Sequence, residues 1–250
     1  FDHQDLLGDT LAKIAAEKAG IIKYRTQVTI SEKQEDTSEV FRVKAAEMEA
    51  PIQFAADIIS ASDFNFTSPS FGSMKINSPY AGQYQQKNIR GVLAWCEQIQ
   101  TQIPLEGLKI QAGIENARLN TGLQGRWEIL GENPKVIADT GHNKSGITEI
   151  LQQIRQENFD HLYIILGMVA DKDIDSVLSL FPTDATYIFS QANNPRAITA
   201  LELKKLAAAK GLQGEVVPSV NTAIALAKSN SSPSDGILIC GSTYLVGEIT

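Results

Sequence analysis

Residues 136–147, VIADTGHNKSGI, decide how this chain is read. An apolar run with the character of a buried strand ends at Asp139, and helical character begins at Ser145. The polar residues Asp139 and His142 therefore fall at a strand-to-helix turn, the place where α/β proteins bind ligands. The plainer reading makes Asp139 a turn cap and His142 a surface residue, because turns are polar whether or not they bind anything.

Moving outward, strand-like runs at 126–130, 134–139, 162–167, 185–190, 215–217 and 236–240 alternate with helical patterns near 145–157, 173–180, 198–210 and 219–229. A short helix is expected after Gly241. Parallel strands need crossover connections, so this rhythm predicts an open, mostly parallel sheet with helices on its faces. Four polar clusters follow predicted elements of this half: DTGHN at 139–143, DKD at 171–173, NNPR at 193–196 and GS at 241–242. In such a sheet the carboxyl ends of the strands share one edge, so these clusters are expected to converge.

The first half is less regular. Leu7, Leu11, Ile14, Ala15 and Ala19 recur at helical spacing, with Gly20 as a stop. A strand is expected at 27–30, a charged helix around Glu39–Glu49, and short strands at 52–55 and 74–76. SASDFNFTSPSFGS, 60–73, has no sustained period and reads as a hairpin or an irregular insertion. A long helix from near Gln83 should carry Ile89, Val92, Leu93 and Cys96 on one face. The pattern weakens over 101–124, with a short helical piece near Ile114–Leu119, and a domain boundary is expected at 122/123. Lys18 falls in the last turn of its helix, where a cation is favoured by the helix dipole. About four helical turns separate it from Asp2 and His3, so those groups can meet only through tertiary folding.

With 250 residues, 43% hydrophobic and 20% charged, the chain can build two ordinary domains without disulfide staples. A net charge of -7 with no concentrated basic patch argues against a nucleic-acid partner. No apolar run approaches the roughly 20 residues of a membrane span. The two cysteines, Cys96 and Cys240, lack metal-ligand spacing, and the cytosol is the default compartment. The opening FDHQDLLGDT has neither an initiator methionine nor the basic region of a signal peptide, and reads as the inside of a domain.

The order FDHQDLLGDTLAKIAAEKAGIIK, GQYQQKN, GLQGRWEIL, IADTGHNKSGI, LGMVADKDI, NPRA and CGSTYLVGEI resembles the folylpolyglutamate synthase/dihydrofolate synthase family of the Mur-ligase superfamily. The likeness extends over essentially the whole chain. Its specific parts are the DH…LGDT…IAAEKAGI…K block and the GRWE and D..HN pair. It implies an α/β fold: the remainder of a P-loop-type central ATPase domain over 1–122, incomplete, followed by a Rossmann-like C-terminal α/β domain over 123–250. It also implies a cytoplasmic ligase of folate biosynthesis and one-carbon metabolism that uses ATP and Mg2+ to join L-glutamate to a pteroate or folate carboxylate. In that family the carboxylate is phosphorylated to an acyl phosphate, which the glutamate amine attacks. The phosphate supplies a leaving group that a bare carboxylate lacks, and magnesium neutralises the crowded anions.

The resemblance also implies roles for single residues. His3 matches a histidine that ligates magnesium, an unusual partner for so hard a cation. Lys18 matches a lysine that carries a carbamate, which turns a cation into an anion able to support the metal, and it is expected to be catalytic. Asn88 matches a nucleotide-contacting asparagine. Arg126 matches an arginine that meets ATP phosphates from the second domain, a task suited to its permanent charge and forked donors. Asp139 matches an ATP-contacting aspartate, and His142 is expected near the phosphates as a catalytic group. The turn at 139–143 is thus expected to be a nucleotide contact on a mobile C-terminal domain.

Two departures stand out. Tyr84 and Gln85 occupy the place where the family commonly has His-Gln, and no G-x-x-x-x-G-K-[ST] phosphate loop occurs in the chain. The second departure leads to the expectation of an absent upstream segment of roughly 150 residues, one domain's worth. On that reading the 250 residues alone are inactive, 125–250 fold independently, and the first part is less stable. Two alternatives stay open: a Mur-type ligase with a different acceptor, and a non-catalytic nucleotide-binding module. A monomer is the default assembly.

Overall fold

The computed structural model describes residues 10–170 and 173–250, which form two compact units. The first comprises the described residues up to Pro79 together with Gln83–Leu123; the second comprises Tyr80–Gly82 and Gln124–Thr250. A hydrogen bond from Gln153 Nε2 to the Ala81 carbonyl (3.0 Å) ties the short excursion at 80–82 to the second unit.

The first unit runs α1 (Leu11–Ala19), β1 (Val28–Ile30), α2 (Glu35–Glu47), β2 (Ile52–Phe54), α3 (Ala55–Ile58), β3 (Ser60–Ser62), β4 (Asn65–Ser68), β5 (Gly72–Lys75), α4 (Gln85–Ile99), α5 (Gly107–Glu115) and α6 (Ala117–Thr121). Strands β1 and β2 pair in parallel. The aperiodic segment is an ordered antiparallel meander, β3–β4–β5. Its core residues Phe66 and Met74 pack with Ile89 and Leu93 of α4. The charged helix begins four residues earlier than expected, with Glu35 and Asp36 favourably placed in its first turn. The weak pattern at 101–124 hides two helices, α5 and α6, neither with a fully buried residue, so no strong apolar stripe advertises them.

One expected core residue of α4 is wrong. Ile89, Leu93 and Cys96 are buried, but Val92 is 44% exposed. The helix buries Gly91 and Ala94 as well, which turns its packed face away from Val92. Gly91 explains the rotation: a Cβ there would come within 2.4 Å of Ser31 Oγ, so the helix touches the loop after β1 through a glycine.

The second unit follows the predicted rhythm: β6 (Glu128–Glu132), β7 (Lys135–Ala138), α7 (Lys144–Ile154), β8 (Leu162–Leu166), α8 (Ile174–Leu178), β9 (Thr186–Phe189), α9 (Ala200–Ala208), β10 (Gly214–Val216), α10 (Val220–Asn230), β11 (Gly236–Cys240) and α11 (Thr243–Val246). The sheet order is β10-β9-β8-β11-β7-β6. All pairs are parallel except β6 with β7.

Successive strand residues alternate between two cores. Ile137, Ile164, Leu166, Tyr187, Phe189, Leu238 and Cys240 face α7, α8 and α9. Val136, Ala138, Ile165, Ile188, Ile237 and Ile239 face α10 and α11. Covered on both sides, these strands must be apolar throughout, which is why they appear as continuous runs in the sequence.

The α4 geometry yields a paired test. Leu93→Ala should cost about 2–5 kcal/mol of stability as a buried truncation, while Val92→Ala should stay within about 0.5 kcal/mol. Urea unfolding of the chain measures both; equal losses would contradict the rotated face.

Candidate functional site

Strands β7, β8, β9 and β11 are parallel, so their carboxyl ends line one edge of the sheet. The expected polar clusters follow these strands. Strand β6 enters antiparallel, with Glu128 opposite Ala138, so its approach brings Arg126 beside the loop that leaves β7. Neighbouring β7 and β11 send their connections to opposite faces, α7 to one and α11 to the other. Such a divergence makes a crevice at a topological switch point. A second divergence, between the connections leaving β9 and β10, leaves a cleft of about 560 Å³ lined by Gln191, Asn193, Asn194, Ser219 and Glu248 among others.

Asp139 follows β7 at this edge and is only 2% exposed. Its Oδ2 accepts the Trp127 N–H at 2.7 Å and its Oδ1 accepts the Gly141 N–H at 2.8 Å. The Thr140 N–H donates to the Gly125 carbonyl at 2.9 Å, completing a cross-link between the start of β6 and the end of β7. Asp139 does cap its turn, as the plainer reading holds, but it also grips a second segment. Burial pushes the Cys240 thiol well above its ordinary range, and the Asp139 charge adds to the shift, so this thiol stays protonated and inert at neutral pH.

The edge is built by glycines where backbones touch. Gly241, at φ +98°, donates its N–H to the Gly141 carbonyl at 2.9 Å, and a Cβ on it would meet the Gly167 carbonyl at 2.5 Å. Three strand-end loops thereby pack against one another through main chain.

Arg126 is half-buried, and among the described residues its guanidinium makes one hydrogen bond, from Nη1 to the Gly125 carbonyl at 3.2 Å. An arginine has five N–H donors, so most remain for an anion. The Nδ1 of His142 lies 3.0 Å from the Thr140 carbonyl, a partner it can meet only as a donor. Asn143 Oδ1 accepts the Gly146 N–H at 2.8 Å and caps α7. The structure thus brings Arg126, Asp139 and His142 together.

The other clusters divide between turn chemistry and the edge. Asn194 Oδ1 accepts the Arg196 N–H, and Arg196 reaches Tyr244, donating to its hydroxyl at 3.3 Å. Ser242 caps α11. Of the DKD cluster, Asp171 and Lys172 lie outside the described residues. Asp173 caps α8; hydrogen bonds from Ser176 hold its carboxyl below the usual range, with help from the charge of Lys144.

In the first unit, Lys18 is exposed in the last turn of α1, and Asn88 is exposed on α4, where its Nδ2 donates to Gln85 Oε1 at 2.9 Å. The two helices pack in different clusters, and no hydrogen bond joins Lys18 to Asn88. His3 lies outside the described residues. Among the described residues no three His, Cys, Asp or Glu side chains converge as a cation site. Unmodified Lys18 is itself a cation, so these residues alone do not make a magnesium site.

Sequence reasoning missed Glu128 and Trp127. Trp127 is buried with φ +53°, and Glu128 is buried with its Oε2 accepting the Gly125 N–H at 2.8 Å. The signal was present in GRWE: a buried-strand start carrying a carboxylate three residues after a glycine.

A model of the Mur ligase glutamate ligase domain matches residues 125–243. The chain is 27% identical over 264 residues to the folylpolyglutamate synthase of Lacticaseibacillus casei, covering 100% of this chain and 59% of that protein. It is 25% identical over 264 residues to the dihydrofolate synthase/folylpolyglutamate synthase of Bacillus subtilis, covering 99% of this chain and 59% of that protein. The structure of E. coli FolC in complex with DHPP and ADP matches with a TM-score of 0.83 at 25% identity, over 98% of this chain and 57% of that one. The chain spans less than two thirds of the length of these relatives.

The cross-link at Asp139 generates a stability prediction. Asp139→Asn sets an amide NH₂ against one of two N–H donors and removes the charge, which should cost about 2 kcal/mol. Urea unfolding measures the loss. Wild-type stability would show that the carboxylate does not hold the two segments together.

Proposed function

The chain belongs to the folylpolyglutamate synthase/dihydrofolate synthase family of the Mur-ligase superfamily, and from that premise we propose that it contributes to an ATP-dependent amide ligase. The ligase joins the amino group of L-glutamate to a carboxylate of dihydropteroate or folate. The observation that carries the reading is the carboxyl edge of the second unit, where a half-buried arginine that commits one guanidinium donor among the described residues stands on a glycine-built crevice.

In the proposed reaction a carboxylate oxygen of the acceptor attacks the terminal phosphorus of ATP and ADP leaves, giving an acyl phosphate. The glutamate amine then attacks the acyl carbon and phosphate departs. The task of Arg126 is to meet the phosphate oxygens, where a permanent cation stabilises charge throughout both steps. Asp139 is proposed to fix the turn that presents Arg126 through the two backbone N–H groups its oxygens accept, and to contact the nucleotide, as the family resemblance implies. His142 is proposed to stand near the phosphates, and Asn88 is proposed as a further nucleotide contact, as the family resemblance implies.

Lys18 is proposed to react with carbon dioxide. Its Nζ loses a proton, forms the N–C bond to carbon dioxide and loses a second proton, and the resulting carbamate carboxylate would hold Mg2+ together with His3. An exposed lysine at a helix end is accessible for that reaction. The bound metal would supply charge neutralisation at the phosphates, and no step above is routed through it.

Two outcomes are expected in the full-length protein. Lys18→Ala should strongly reduce glutamate ligation, with partial rescue by small carboxylic acids that fill the vacancy; normal turnover without rescue would restore the helix-dipole reading. Arg126→Ala should raise the apparent ATP requirement or lower turnover with the fold intact. Unchanged nucleotide kinetics together with collapsed thermal stability would make Arg126 structural, and ATP binding without ligation of any amino acid would favour a non-catalytic module.

A further inference from the structure

We infer that Glu128 is a positioning residue for the nucleotide contact, acting through the backbone of Gly125 to hold Arg126 at the carboxyl edge. The inference rests on the proposed role of Arg126 and adds a residue to it.

The turn GRWE spans residues 125–128. Gly125 sits at φ +69°, and a Cβ there would meet Thr140 Cγ2 at 2.6 Å and Val246 Cγ1 at 2.7 Å. The turn is therefore pressed against the edge, and only a residue without a Cβ fits there. Its main chain is held at three points. Glu128 Oε2 accepts the Gly125 N–H at 2.8 Å. The Gly125 carbonyl accepts the Thr140 N–H at 2.9 Å and Arg126 Nη1 at 3.2 Å. Asp139 Oδ2 accepts the Trp127 N–H at 2.7 Å. The residues on either side of Arg126 are thus clamped by two different buried carboxylates, one from its own strand and one from the next.

Without the Glu128 carboxylate, the buried Gly125 N–H loses its acceptor. A buried amide seldom stays unpaired, so the turn must shift to find one. Gly125 has no side chain to resist a flip, and its carbonyl is the group that anchors the guanidinium. The shift therefore reaches Arg126 first. Glu128 is only 8% exposed and points back into the turn, so it acts on the nucleotide through Arg126 and touches none itself.

The test is a double-mutant cycle in the full-length protein, measuring kcat and KM for ATP for Glu128→Ala, Glu128→Gln, Arg126→Ala and the Arg126→Ala/Glu128→Ala pair. Glu128→Ala should raise KM for ATP roughly tenfold, the scale of one lost charge-assisted hydrogen bond. Glu128→Gln keeps an acceptor oxygen and should recover most of the loss. The double variant should be no worse than Arg126→Ala alone, because the effect of Glu128 runs through that side chain. Additive losses, or a Glu128→Ala enzyme with wild-type ATP kinetics beside an impaired Arg126→Ala, would overturn the inference while sparing the role of Arg126. An Arg126→Ala enzyme with normal ATP kinetics would instead remove the reading on which the inference stands. Should Glu128→Ala fail to fold, Glu128→Gln against Arg126→Ala carries the same comparison: a double variant clearly worse than Arg126→Ala would overturn it.

Discussion

The buried carboxylate of Asp139 is the constraint on which the rest of the second unit's edge depends. Its two oxygens hold backbone amides from segments on adjacent strands, one at Trp127 and one at Gly141. A charged group at 2% exposure is tolerated only when its hydrogen bonds are made, and here they are made to donors that strand pairing leaves without sheet partners. The same bonds fix the loop that carries His142 and the turn that carries Arg126. A single aspartate at a strand end thereby organises a surface whose other members come from several places in the chain.

Topology makes that surface possible. Parallel strands deliver their loops to one edge, and the one antiparallel strand delivers its beginning there too. Had β6 run parallel, Arg126 would stand at the opposite edge. The insertion of β11 between β7 and β8 sends neighbouring connections to opposite faces and opens the crevice. Close packing of Gly141, Gly167 and Gly241 lets three loops share a space that side chains would fill. Fold and site are one argument in this unit: pairing order decides which loops meet, and glycine decides how closely.

Much of this was legible in the sequence, and the reasons differ by element. The doubly covered strands appear as uninterrupted apolar runs, so β7, β8, β9 and β11 lie within a residue or two of their expected spans. The convergence of polar clusters followed from parallel topology alone. The meander at 60–75 was legible only as a hairpin or an insertion with a strand at its end, because its strands are three or four residues long and bury little besides Phe66, Ser68 and Met74. Helices α5 and α6 bury too little to show a stripe. Val92 was misplaced because spacing gives a face but not its rotation, which a glycine contact at Gly91 sets. The expectation for Arg126 came from family likeness; nothing local marks an arginine as bound for the carboxyl edge of a sheet. Glu128 stood inside a recognised motif and received no role, since its partner is a main-chain N–H that composition cannot display.

The account's central claim is that the carboxyl edge of the second unit meets the nucleotide. Amide chemical-shift mapping of the full-length protein titrated with ADP tests it most directly. The account predicts that the largest shifts fall at Gly125, Arg126, Trp127 and residues 139–143, with the opposite edge around Asp160, His161 and Asp235 unmoved. Saturable ADP binding that leaves 125–127 and 139–143 unchanged would contradict it.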